Sequence, residues 1–125
     1  DGMLLHGIGG WQDCLFSQNT ILAVPSFRDR IPVIVNNVTT LCGPGELIDV
    51  VVTEKGIAIN PQRKDLIKAL KGSSLPIKPI EELKKEVEQI CGGAPSPPKV
   101  DKKRVVAAIQ WVDSTIIDVV YRVIT

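Results

Sequence analysis

The 125-residue sequence predicts an α/β fold with a mixed sheet, two helices and a C-terminal β-hairpin. Three observations predict it. Short aliphatic runs alternate with glycine and proline turns through the first half. Two stretches with helical spacing follow. Two β-branched runs around a tight turn close the chain. Hydrophobic residues make up 44% and aromatics only 4%, so the core has to be built from Val, Ile and Leu.

Gly7-Ile8-Gly9-Gly10 is a glycine-rich loop with no strand or helix before it. Residues 20–24 (TILAV) read as a buried strand that Pro25 stops. Residues 26–30 are polar and basic. Ile31-Pro32 leads into a second apolar run, Val33-Ile34-Val35, which Asn36 and Asn37 break. Gly43-Pro44-Gly45 is a turn after residues 38–42. Residues 49–53 (DVVVT) lack alternation, as a strand covered on both faces does. Gly56-Ile57-Ala58-Ile59 resumes after the Glu54-Lys55 turn, giving two strand pieces around a kink or hairpin.

Asn60-Pro61 has the form of a helix N-cap followed by proline. Leu66, Ile67 and Leu70 follow at helical spacing, and Gly72 closes that helix. Leu75-Pro76-Ile77 is extended. Residues 80–90 form an amphipathic helix with Ile80, Leu83, Val87 and Ile90 on one face. Its charged face predicts i,i+4 pairs such as Glu81–Lys85. GGAPSPP, residues 92–98, is a linker by composition. Residues 105–111 and 116–123 then form the hairpin across 113–115. Its inward set is either Val106, Ala108 and Gln110 or the alternate residues. The organisation is an α/β core over 1–91, a Pro/Gly linker over 92–101 and a hairpin over 102–125. The missing opening element suggests that other polypeptide completes the sheet.

A net charge of +1, with Asp101 interrupting the one basic cluster at 99–104, provides no field for nucleic acid. No apolar run nears the roughly 20 residues that cross a bilayer, and no signal peptide is visible. Cys14, Cys42 and Cys91 are too few and too scattered for a disulfide framework. With His6 the only histidine, no zinc ligand set arises. Reduced thiols and a cytoplasmic location fit this pattern.

Local chemistry is thin. Gly9-Gly10-Trp11-Gln12-Asp13 could bind an anion through backbone N–H groups, but it lacks the Walker and dinucleotide signatures. A tight turn is the simpler reading. Asp13 could orient a hydroxyl or act as a base, although such an Asp more often caps a turn. Gly43, Gly45 and Glu46 sit in a loop between extended pieces, a place where open α/β sheets hold ligands. Arg28 and Arg30 could grip carboxylates. Glu54, Lys55 and Asp49 form no recognisable catalytic set, and Cys42 reads as a small hydrophobe.

Residues 44–61 nonetheless resemble a family pattern, P-G-x-x-[IV]-D-V-x-V-T-[DE]-x-G-I-A-[IV]-N-P, specific to the citrate lyase alpha chain. Gly9-Gly10-Trp11-Gln12-Asp13 is similar to the family's G-G-H-x-D, and Arg30-Ile31-Pro32 to its R-I-P. Asp65-Leu66, Ile80-Glu81-Glu82-Leu83 and Ile117-Asp118-Val119-Val120 extend the resemblance along nearly the whole chain. It corresponds to about the last quarter of such a subunit.

The resemblance implies the C-terminal part of a CoA-transferase-like (NagB/RpiA-like) domain. It implies a citrate CoA-transferase (citrate:acetyl-acyl-carrier-protein transferase) component, exchanging acetyl for citryl on a CoA-like thiol. The thiol belongs to a CoA-derived prosthetic group on an acyl carrier protein, or to CoA, which serves as substrate. No tightly bound cofactor and no metal are expected in this segment. Partners would be the citrate lyase beta chain and acyl carrier protein, with citrate as substrate. Carried over by position, Gly9, Gly10, Asp13, Gly43, Gly45 and Glu46 are expected to wall a substrate or CoA pocket. The catalytic carboxylate is expected upstream, so this segment alone should be inactive. Trp11 stands where the family has His, which leaves a related acid such as citramalate open. The alternative is a non-catalytic module that docks the carrier protein.

Overall fold

The structure, a computed structural model, describes residues 10–124. Its elements are a single helical turn α1 (Trp11–Cys14), short strands β1 (Ile21–Ala23), β2 (Phe27–Arg28) and β3 (Ile31–Pro32), then β4 (Val50–Thr53) and β5 (Gly56–Ile59). Helices α2 (Lys64–Ala69) and α3 (Ile80–Cys91) follow, and the long strands β6 (Val100–Gln110) and β7 (Ile116–Val123) end the chain.

The central sheet is mixed, in the order β1-β4-β5. β1 runs parallel to β4, with Ile21 opposite Val50 and Ala23 opposite Val52. β4 and β5 are antiparallel from Val50↔Ile59 to Thr53↔Gly56. The kink-or-hairpin alternative therefore resolves as a hairpin with Glu54-Lys55 as its two-residue turn. The connection from β1 to β4 contains no α-helix. It holds the β2–β3 hairpin and a 3-10 turn, Gly45–Leu47. Val33-Ile34-Val35 forms no strand, because pairing with β2 ends at Ile31–Pro32 and Val33 N–H turns back to the Ser26 carbonyl at 2.9 Å.

The core lies between the sheet and α3. Leu83 is fully buried and Val87 nearly so, and α3 packs against β5, where Leu83 meets Gly56, and against β3. Removing such a side chain from water contributes about 1.5–3 kcal/mol. The predicted four-residue apolar face of α3 is narrower than expected, since Ile80 and Ile90 at its ends stay exposed. Its i,i+4 ion pair is Lys84–Glu88 at 3.0 Å, and Lys78 reaches Glu86 at 2.6 Å. Gly92 at φ 84 ends the helix in the left-handed conformation.

Gly56 shows why residues 75–78 need a glycine neighbour. Ile57 N–H donates to the Pro76 carbonyl at 3.0 Å and Lys78 N–H to the Ile57 carbonyl at 2.9 Å. This extended segment runs along β5, with Ile77 paired in parallel to Ile57. A Cβ on Gly56 would stand 2.9 Å from the Pro76 oxygen and 3.0 Å from Leu83 Cδ2. The closing hairpin pairs Val100 with Val123 at one end and Gln110 with Ile116 at the other. Its buried residues are Ile109 and Val120, which favours the alternate inward set over Val106, Ala108 and Gln110.

Candidate functional site

An open cleft of about 470 Å³ lies where the Gly43-Pro44-Gly45 turn meets the amino end of β4 and the carboxyl end of β5. Gly45, Glu46 and Asp49 wall one side, Ile59, Asn60 and Gln62 the other, and Val51 and Ala58 lie in the sheet between. Two polar residues build it.

Asn60 ties the two walls together. Its side-chain amide donates to the Ile48 carbonyl at 3.0 Å and the Glu46 carbonyl at 3.3 Å. Its backbone N–H donates to the Asp49 carbonyl at 2.8 Å. Its Oδ1 accepts from Gln62 N–H at 2.9 Å, and its carbonyl from Arg63 N–H at 2.9 Å. The sequence predicts Asn60-Pro61 as a helix start. Instead Asn60 opens an Asx turn, and α2 begins at Lys64 behind Arg63. The difference is a competition that residue spacing cannot decide: the side chain satisfies the 46–48 turn rather than a helix end.

Asp49 is the second. It is 8% exposed, with both carboxylate oxygens engaged. Oδ2 accepts from Thr20 N–H at 2.7 Å and Oδ1 pairs with Arg63 Nη1 at 2.7 Å. The guanidinium hydrogen bond, then the Thr20 amide, hold its carboxyl below the usual aspartate value. Arg63 also reaches Asp65 through Nε at 3.0 Å and Nη2 at 2.8 Å, Asn19 Oδ1 at 2.9 Å and the Gln18 carbonyl at 3.3 Å. The Asp65 carboxyl is thereby drawn down to about 2, mainly by its hydrogen bond to Arg63.

The predicted site residues divide. Gly45 and Glu46 line the cleft. Gly43 is buried just ahead of it. Gly10, at φ 79, precedes α1, and Asp13 is exposed on that turn; neither is among the residues lining the cleft. Gly9 lies outside the described residues. In the 3-10 turn Leu47 N–H donates to the Pro44 carbonyl at 3.3 Å and Ile48 N–H to the Gly45 carbonyl at 3.1 Å. Arg28 is exposed, and Asp29 and Arg30 have φ of 47 and 71 at the tip of β2–β3. Glu54 accepts from Ser26 N–H at 3.0 Å, which lowers its carboxyl below the usual value.

Among the described residues no group of three or more His, Cys, Asp or Glu could hold a metal ion, and no disulfide occurs. No described helix is long and apolar enough to cross a membrane. Sequence reasoning missed Arg63 and the junction at Asp49. The available signal was an acidic residue opening an otherwise aliphatic strand, which calls for a partner when buried.

The family model for citrate lyase, alpha subunit (CitF) matches residues 1–123. Citrate lyase alpha chains are similar: 40% identical over 124 residues in Klebsiella pneumoniae and 38% over 125 in Haemophilus influenzae. Each match covers 98% of this chain and 24% of the relative, so the chain spans about a quarter of those proteins' length. A crystal structure described as the alfa subunit of citrate lyase from Streptococcus mutans, in complex with citrate, superposes with a TM-score of 0.80 at 43% identity. It covers 86% of this chain and 21% of that one.

Proposed function

The chain belongs to the citrate lyase alpha subunit family, and from that premise we propose that it is a portion of the citrate CoA-transferase component. In this reading the acetyl–sulfur bond on the carrier thiol breaks, a citryl–sulfur bond forms and acetate leaves. The observation that carries the reading is the likeness to a citrate-bound alpha subunit over 86% of the chain. The cleft is compatible with a supporting role: its glycine turn and carboxylates shape a wall. Proximity and N–H donors, rather than a metal, are what such an exchange requires of the protein.

Several finer assignments belong to the same proposal. We assign the segment to the carboxyl end of a longer CoA-transferase-like (NagB/RpiA-like) domain on the resemblance of its motifs alone. The thiol is that of a CoA-derived group on an acyl carrier protein. The beta chain and the carrier protein are its partners in the cytoplasm. A peptide map of the native polypeptide tests the placement: sequence ahead of Asp1 supports it, and several hundred residues after Thr125 reverse it.

The activity test uses the native full-length polypeptide, acetylated carrier protein and citrate. The expected result is acetate release with a citryl thioester on the carrier, seen by intact mass. Asp13→Ala is expected to slow it by about a hundredfold or more, the usual scale for a positioned acid–base group; unchanged turnover removes Asp13 from the site. Carrier protein that binds but stays acetylated supports the docking module instead.

A further inference from the structure

We propose that Asp49 and Arg63 are positioning residues for citrate that hold the cleft loop, residues 45–48, at a fixed separation from residues 18–20, which lie outside the cleft lining. This rests on the citrate reading above. The argument starts from counting donors. A guanidinium carries five N–H groups. Arg63 makes five polar contacts: two to Asp65, one to Asn19, one to the Gln18 carbonyl and one to Asp49. Its capacity is filled by the protein, so it is not a ligand for a substrate carboxylate. Its contacts instead join three places far apart in sequence: residues 18–19 before β1, Asp49 at the start of β4, and the first turn of α2.

Asp49 completes the lock. Its carboxylate accepts from Thr20 N–H, and its carbonyl accepts from Asn60 N–H. Asn60 in turn holds the carbonyls of Glu46 and Ile48. Thr20 Oγ1 donates to the Cys14 carbonyl at 2.9 Å, so the same chain of bonds reaches α1, which carries Asp13. The two motif segments that the cleft alone does not unite, around Asp13 and around Glu46, are thus connected through the Asp49 carboxylate, which Thr20 N–H and Arg63 share. With Asp49 8% exposed, losing one partner leaves the other desolvated without compensation.

The test uses Asp49→Asn and Arg63→Gln in the native full-length polypeptide. Asparagine keeps an acceptor for Thr20 N–H and loses the charge. Should it fold poorly, Arg63→Gln alters the more exposed end of the pair. Hydrogen exchange reads the lock directly. Amides of residues 18–20 and 45–48 are expected to exchange about tenfold faster, with α3 and β6–β7 unchanged. Wild-type rates in both loops, or uniform acceleration everywhere, overturn the proposal. Steady-state kinetics read its consequence. Citrate KM is expected to rise about tenfold with kcat within about threefold of wild type. Arg63→Lys, which can keep the Asp49 pair but not the fork to Asn19 and Asp65, is expected to fall between. Loosened loops with an unchanged citrate KM refute the role in the citrate site. If the wild-type polypeptide turns over no citrate, the functional reading fails and the exchange data alone decide the lock.

Discussion

The β4–β5 hairpin and the β6–β7 hairpin are both antiparallel, yet the first is flanked and covered by other elements to a far greater extent. β4–β5 is four residues long on each side, keeps one unbroken register and buries Val50, Thr53, Gly56 and Ala58. β1 flanks one side and residues 75–78 the other, with α3 packed over it. β6–β7 is eleven residues against eight, shifts register three times and buries only Ile109 and Val120. Val105, Val106 and Ile116 remain more than half exposed. A strand's register is fixed where one face is buried and weakly specified where neither is. Two of the three register shifts, between Asp101 and Ala107, fall where β6 buries no residue. Its link to the remainder includes a 2.6 Å hydrogen bond from Leu41 N–H to Asp118 and the stacked rings of Phe16 and Trp111, 6.1 Å apart.

The sharpest way to break this contrast is to empty the core beneath the short hairpin. Leu83→Ala is expected to destabilise by about 2–5 kcal/mol in chemical denaturation. A loss below about 1 kcal/mol would show that α3 does not anchor β5.

Acid gives a smaller, graded effect. Asp49 is held below its ordinary pKa of 3.8, so it contributes stability that is complete above that value. The contribution is lost as pH falls below about 4, through the depressed folded value. Melting curves from pH 6 to pH 3 are expected to be flat at first and then fall. Asp49→Asn should flatten the fall; an unaltered slope would assign it to other carboxylates.

The smallest effect belongs on the arm. Val106→Thr, at a position 62% exposed, is expected to change stability by no more than about 0.5 kcal/mol. A larger loss would mean that the arm's open face packs against something, and would close the gap between the hairpins.

The same contrast explains what the sequence disclosed. The strands β1 and β4, the Glu54-Lys55 turn and the α3 core pair were legible because periodicity and turn chemistry report local structure, but the burial read for β1 was not met, since Ile21 and Ala23 stay exposed. Asn60 was misplaced as a cap because an amide can satisfy a helix end or a neighbouring turn, and only the fold selects between them. Val33-Ile34-Val35 was apolar enough for a strand but found no pairing partner among the described residues. In the candidate site, Gly45 and Glu46 reached the cleft because their motif coincides with the turn itself. Asp49 was seen only as one member of a set without catalytic form, since its partners Thr20 and Arg63 are 29 and 14 residues away along the chain. Sequence distance hides what a carboxylate joins.

The parallel pairing of β1 with β4 carries a consequence for how the chain reaches this state. Glu54-Lys55 can close β4–β5 within a few residues, whereas Thr20 must span 29 residues to meet Asp49. Loop-closure entropy makes the nearby contact form early and the distant one late. The segment holding Asp13 is therefore expected to dock after the β4–β5 hairpin has closed. Until it does, the Asp49 carboxylate remains hydrated, and substitutions at Thr20 should hasten unfolding far more than they delay folding.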